Sequence, residues 1–141
     1  MRLVIQDNAK EVGELVGAYV IKRINDFNPT ATRPFVLGLP TGSSPLVVYK
    51  ELVTLFKAGK VSFQHVVTFN MDEYCELPRD HPESYHSFMW ENLFRHVDIQ
   101  PQNVHILDGN APDLDAECKR YEKQIAEAGG IELFLAGIGP D

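Results

Sequence analysis

The sequence predicts an α/β protein with a doubly wound parallel sheet. Pro34-Phe35-Val36-Leu37-Gly38-Leu39 is a continuous apolar run of strand length, as expected for a strand covered on both faces. Further strand-length runs, His65 to Phe69, Val104 to Leu107 and Ile131 to Leu135, are separated by stretches long enough for crossover helices, which join parallel strands with right-handed topology. With 141 residues the chain is long enough for one domain and too short for two, and no repeat, low-complexity tract or linker divides it.

Leu3-Val4-Ile5 reads as a short first strand. Asn8 is then placed to cap a helix whose apolar positions Val12, Leu15, Val16, Tyr19, Val20, Ile24 and Phe27 follow the 3.6-residue period. Asn28-Pro29 ends it, because the residue before proline is pushed out of the helical region. After the strand closing at Leu39 comes Pro40-Thr41-Gly42-Ser43-Ser44. A second helix follows with Pro45 in its first turn, Leu46, Tyr49, Leu52, Val53 and Phe56 on one face, and Gly59 at its end.

The strand ending at Phe69 leads into Asn70-Met71-Asp72-Glu73-Tyr74 and an irregular segment from Cys75 to Pro82. Tyr85, Phe88, Met89, Asn92 and Leu93 share a helix face. Past the strand Val104 to Leu107, Asp108-Gly109 is a turn, and Asn110 and Pro112 begin a helix with Leu114, Cys118, Tyr121 and Ile125 inward, stopped by Gly129-Gly130. The strand Ile131 to Leu135 empties into Ala136-Gly137-Ile138-Gly139-Pro140-Asp141. The expected arrangement is a Rossmann-like three-layer fold, truncated after the strand that ends near Leu135.

Composition narrows the function classes. A formal net charge of −7, with 13 scattered Lys and Arg, argues against a nucleic-acid surface, which needs clustered basic residues. No stretch approaches the ~20 apolar residues of a membrane span, and the apolar run after Met1 is too short for a secretory signal. Cytoplasmic placement is therefore expected. Cys75 and Cys118 stand far apart without a metal-ligand spacing and are expected to be reduced thiols.

Three strand-end loops carry the chemical content. Gly38-Leu39-Pro40-Thr41-Gly42-Ser43-Ser44-Pro45 joins a strand to a helix N-terminus, where amides, the helix dipole and hydroxyls suit a phosphate. It lacks the lysine of a P-loop, and an ordinary Ser-capped turn reads the same way. The second loop places Asp72 where open α/β sheets bind ligands. A carboxylate there serves as a general base, a metal ligand or a turn residue. His81 and His86 lie nearby, but no metal motif organises them, and His65, His96 and His105 read as surface or core histidines. The third loop is Gly137-Ile138-Gly139-Pro140-Asp141, whose glycines permit close approach to a ligand; a flexible tail is the alternative.

Together Leu37 to Pro45, Thr68 to Tyr74, His81-Pro82-Glu83-Ser84-Tyr85-His86-Ser87-Phe88-Met89 and Gly137 to Asp141 resemble glucosamine-6-phosphate deaminase (isomerase), over the whole of this chain. The resemblance implies opening of the glucosamine 6-phosphate ring, proton movement between C2 and C1, and release of ammonia to give fructose 6-phosphate, without metal or organic cofactor. It implies that Asp72 takes the C2 proton and that Asp141 is the acidic member of a ring-opening relay. Thr41, Gly42, Ser43 and Ser44 would form part of the phosphate cradle, Gly137 a backbone contact to the sugar, and Glu73 a support of the site.

In that family the segment after the final Asp supplies a histidine and a glutamate, and later segments bring basic residues to the phosphate. The resemblance is therefore to the N-terminal part of a single sugar-phosphate isomerase/deaminase domain, spanning residues 1–141, and implies little or no deaminase activity for this polypeptide alone. An unpaired sheet edge and uncovered apolar helix faces would make it marginally stable. A small sugar phosphate is the expected partner, and a homo-oligomer the expected state at full length.

A 6-phosphogluconolactonase-type lactone hydrolase resembles the chain in fold, phosphate loop and Asp-Glu strand end. There the pair is typically followed by Arg, whereas Tyr74 follows here. A non-catalytic sugar-phosphate sensor or scaffold is the third reading; no helix-turn-helix segment accompanies it.

Overall fold

The computed structural model describes residues 1–139. Helix α1 (Ala9–Phe27) begins where the Asn8 side chain accepts the Glu11 amide at 3.0 Å, and ends at Asn28, whose left-handed conformation lets its amide reach the carbonyls of Ile24 and Asn25. Strand β1 (Phe35–Leu39), helix α2 (Leu46–Lys57) and strand β2 (Val66–Asn70) follow. Then come helix α3 (Tyr85–Asn92), two single-turn 3₁₀ segments, strand β3 (Val104–His105), helix α4 (Leu114–Glu127) and strand β4 (Leu133–Phe134).

The sheet is four-stranded, all parallel, in the order β3-β2-β1-β4. Chain order runs outward from β1 through β2 to β3, then returns to place β4 on the other side of β1. Between β1 and β4 the winding reverses, and the crevice outside the carboxyl ends of such strands is where open α/β sheets bind ligands.

Side-chain alternation along the strands produces two cores. Phe35, Leu37, Leu39 and Val66 pack with Val20, Ile21 and Ile24 of α1, Val48, Tyr49 and Leu52 of α2, and Met89 of α3. On the opposite face Val36, Val67 and Phe69 pack with Tyr121 of α4. Each large apolar side chain removed fully from water contributes about 1.5–3 kcal/mol. Every residue of β1 and β2 is buried, as continuous apolar runs require.

Several sequence expectations are corrected. Leu3-Val4-Ile5 forms no strand: the segment pairs with no strand among the described residues, and Leu3 and Ile5 are exposed. The buried face of α1 is Gly13, Gly17, Val20, Ile21 and Ile24, while Val12, Leu15 and Tyr19 are exposed. Close packing on α2 explains the rotation. A Cβ at Gly13 would lie 2.7 Å from the Val47 carbonyl oxygen, so the two helices approach along glycines rather than along large side chains.

In α4, Leu114 and Cys118 are exposed, and Glu117 and Tyr121 turn inward, because their polar ends bond loop and strand-end backbone. Its cap is Asp113, which accepts the Ala116 amide at 2.9 Å, so Asn110 and Pro112 lie outside the helix. Strand β2 extends one residue further than its apolar run and includes Asn70. Strands β3 and β4 shorten to two residues each, the length over which they pair with β2 and β1.

Candidate active site

The carboxyl ends of β1, β2 and β4 open onto one edge of the sheet, which places the loops after β1 and β2 on the same edge as the start of the segment after β4. After β1, the chain turns at Gly42 with φ of +99°, a conformation glycine adopts without a Cβ penalty, and enters α2. The buried Tyr49 hydroxyl of α2 donates to the Pro40 carbonyl and pins the loop's entrance.

The start of α2 differs from those of the other α-helices. Asn8, Ser84 and Asp113 each cap their helices with a side chain, whereas α2 begins at Pro45 with no side-chain cap and no acidic residue in its first turn. Its amino end thus presents amides and positive dipole without a built-in anion. Gly42, Ser43 and Ser44 are exposed beside it, and Thr41 is half-buried.

Strand β2 delivers Asp72. Asn70, fully buried, donates from its side-chain amide to the Leu39 carbonyl at 2.8 Å, and its own carbonyl accepts the Tyr121 hydroxyl at 2.5 Å. These bonds tie the exits of β1 and β2 to each other and to α4. Two residues on, Asp72 is solvent-accessible, yet partial desolvation, with a smaller contribution from the Glu73 charge, pushes its pKa above the ordinary carboxylate value. A raised proton affinity brings a carboxylate closer to a useful general base near neutrality.

Glu73 is engaged otherwise. Its Oε1 accepts the Tyr74 and Tyr85 amides at 2.8 and 2.9 Å, and its Oε2 accepts the His86 amide at 2.9 Å. The carboxylate sits on the amino end of α3, where backbone donors and dipole favour it.

Tyr85, which the sequence places on a helix face and within the His81 to Met89 motif without a role at the site, stands beside Asp72 and Thr41. Its hydroxyl lies 3.4 Å from that of Tyr74, which raises its pKa, and Asp72 and Thr41 are near enough to act on it as well. Asn70 and Tyr49 are further residues for which sequence patterns indicate no part in shaping these loops, Tyr49 reading only as part of the apolar face of α2. The signal for Asn70 was a polar residue continuing a buried strand.

The structure places Gly137 in an exposed segment after β4, with open space where a Cβ would stand. Asp141, read as a relay acid, lies outside the described residues. A cavity of about 340 Å³ opens beside the second loop, lined by Glu73, Arg79, His86, Asp108 and Arg120 among others. Burial and the nearby Arg79 charge push the His86 pKa down. Among the described residues no cluster of His, Cys, Asp and Glu is arranged to hold a metal ion, and no helix is long and apolar enough to cross a membrane.

Comparison with known proteins follows the same lines. The family described as glucosamine-6-phosphate isomerases/6-phosphogluconolactonase matches residues 7–141. Glucosamine-6-phosphate deaminases are similar over all 141 residues, at 67% identity in Drosophila melanogaster and 63% in Phocaeicola vulgatus, covering 52% and 54% of those proteins. The chain thus spans about half the length of the curated relatives it matches.

Among solved structures, a monomeric glucosamine-6-phosphate deaminase superposes with a TM-score of 0.92 at 35% identity, over 99% of this chain and 56% of that one. The 6-phosphogluconolactonase of Thermotoga maritima gives a TM-score of 0.68 at 25% identity, over 89% and 56%.

Proposed function

The chain belongs to the family of glucosamine-6-phosphate isomerases and 6-phosphogluconolactonases, and from that premise we propose that its site serves the conversion of glucosamine 6-phosphate and water to fructose 6-phosphate and ammonia. The observation that carries the reading is the uncapped amino end of α2 lying beside the strand end that presents Asp72, with the Asn70 to Leu39 bond joining the two loops. One loop suits a phosphate and the other supplies a base.

In this reading Thr41, Gly42, Ser43 and Ser44 hold the phosphate through amides and hydroxyls. Asp72 removes the C2 proton of the opened sugar. The released bonding pair forms a C1–C2 double bond as the C1 carbonyl pair moves to O1, which takes up a proton. Protonation at C1 then draws the nitrogen lone pair into a C2–N double bond, leaving an iminium at C2. Water adds there and ammonia departs. Gly137 contacts the sugar through its backbone, Glu73 supports the site, and Asp141 takes part in ring opening. Tyr74 after the Asp-Glu pair, and the identity to deaminases rather than lactonases, favour ammonia release over lactone hydrolysis. We place the protein in the cytoplasm as a homo-oligomer, for which sedimentation equilibrium is the check.

The test is an assay of ammonia and fructose 6-phosphate on the purified chain, alone and joined to the C-terminal half of the Drosophila melanogaster relative. A 6-phosphogluconolactone arm runs in parallel. Ammonia release abolished by Asp72→Asn is expected. Lactone hydrolysis without ammonia release in either form would sink the proposal.

A further inference from the structure

Between β2 and α3 lies a loop of fourteen residues, 71–84, with few anchors of its own. Glu76 donates its amide to the Gly109 carbonyl at 3.2 Å, and the Ser84 hydroxyl donates to the Arg79 carbonyl at 2.7 Å. The Asn110 side-chain amide donates to the Leu77 carbonyl at 2.7 Å, and the Glu73 carboxylate crosses the loop itself to take the Tyr85 and His86 amides.

Ordinary capping of α3 is already complete without it at the next position, because the Ser84 hydroxyl accepts the Ser87 amide at 3.0 Å. Glu73 therefore does something a local cap does not: it fastens the start of the loop to its end. Asp72 is its immediate neighbour, one peptide away, and Tyr85, whose amide it binds, carries a side chain into the same site. Displacing the Glu73 side chain would move both.

We propose that Glu73 is a positioning residue, which by gripping the first two amides of α3 holds Asp72 and Tyr85 in fixed relation at the site. This rests on the reading of Asp72 as the base. Besides partial desolvation, Glu73 beside it in the loop raises the proton affinity of Asp72, and the Asp72 charge in turn acts on Tyr85 of α3.

Glu73→Gln is isosteric and keeps one acceptor, Glu73→Ala removes both, and Glu91→Gln, in an exposed pair with Arg95, is the control. In the active form of the full chain, Glu73→Gln is expected to lower kcat on the order of 10- to 100-fold, the scale of a misplaced catalytic group. KM should stay within about threefold. The acid limb of the kcat/KM profile should move to lower pH. An unchanged kcat, a loss in KM alone or an unmoved acid limb overturns the proposal.

Circular dichroism confirms folding of each variant. If neither the chain alone nor the joined form releases ammonia, the reading of Asp72 as base fails by itself. The grip is then judged from amide exchange at Tyr85 and His86 and from the carboxyl titration of Asp72 by NMR. Faster exchange and a lower midpoint in Glu73→Gln sustain it; unchanged values overturn it.

Discussion

The side-chain amide of Asn70 donates a 2.8 Å hydrogen bond to the main-chain carbonyl of Leu39. Both residues end parallel strands and both are fully buried, so the bond sets the spacing between the loop that begins at Pro40 and the loop that carries Asp72. Asn70→Ala strands the Leu39 carbonyl in the core and should cost about 1–3 kcal/mol of stability, the penalty of a buried unpaired group. Urea unfolding at neutral pH measures this. A midpoint equal to that of the parent would show that the Leu39 carbonyl finds another donor.

Asp72 should weaken the fold at neutral pH. Its folded pKa is raised, so the native state binds the proton more tightly than the unfolded chain. The stability this confers is complete below the unfolded carboxylate value and is lost as pH rises through the folded one. Asp72→Asn is therefore expected to be as stable as the parent or less so in acid, and relatively more stable as pH climbs to neutrality. Denaturant titrations across that range should show the difference grow in the variant's favour and then level off.

Glu117 should behave in the opposite sense. The carboxylate is buried, bonds Arg120 at 2.5 and 2.6 Å and accepts the Asp108 amide at 2.9 Å; these partners, Arg120 foremost, hold its pKa below the ordinary value. Its stabilisation is present above the unfolded carboxylate pKa and lost as pH falls through the folded one. Glu117→Gln should cost about 1–2 kcal/mol at neutral pH. The same variant should show a shallower loss of stability on acidification, read from thermal melts.

Gly13 and Gly17 give a graded test of the α1–α2 approach. Gly13→Ala drives a methyl group against the Val47 backbone, which has no rotamer to escape into, and should destabilise by about 1–3 kcal/mol. Gly17→Ala meets the Glu51 Cγ and Cβ instead; the Cγ can rotate away, leaving a lesser clash with the fixed Cβ at 2.9 Å, and Ala returns about 1 kcal/mol of helix propensity. Thermal melts should rank Gly17→Ala above Gly13→Ala. The reverse order would mean that the helices do not meet along these glycines.

The amino-acid sequence by itself determined the order of elements from the first helix onward and the parallel sheet, and it pointed to the strand-end loops for chemistry. Buried parallel strands read as continuous apolar runs, and Asn8, Pro45 and Gly59 mark helix limits through local backbone preferences that need no tertiary partner. Helix faces were less legible. Periodicity ranks Val12, Leu15 and Tyr19 above Gly13 and Gly17, because a side chain's hydrophobicity is visible in sequence and the closeness of two backbones is not.

Tertiary structure alone decided the rest. It turned Glu117 of α4 inward in place of Leu114 and Cys118, spent the Glu73 carboxylate on α3, made Asn70 the tie between two loops and brought Tyr85 near Asp72 and Thr41. Each is a polar contact between different elements or loops, fixed by strand order and helix packing. Local sequence patterns carry the period of a helix and the pitch of a strand, but the face a helix buries and the acceptor a buried donor meets depend on where the whole sheet sets them down.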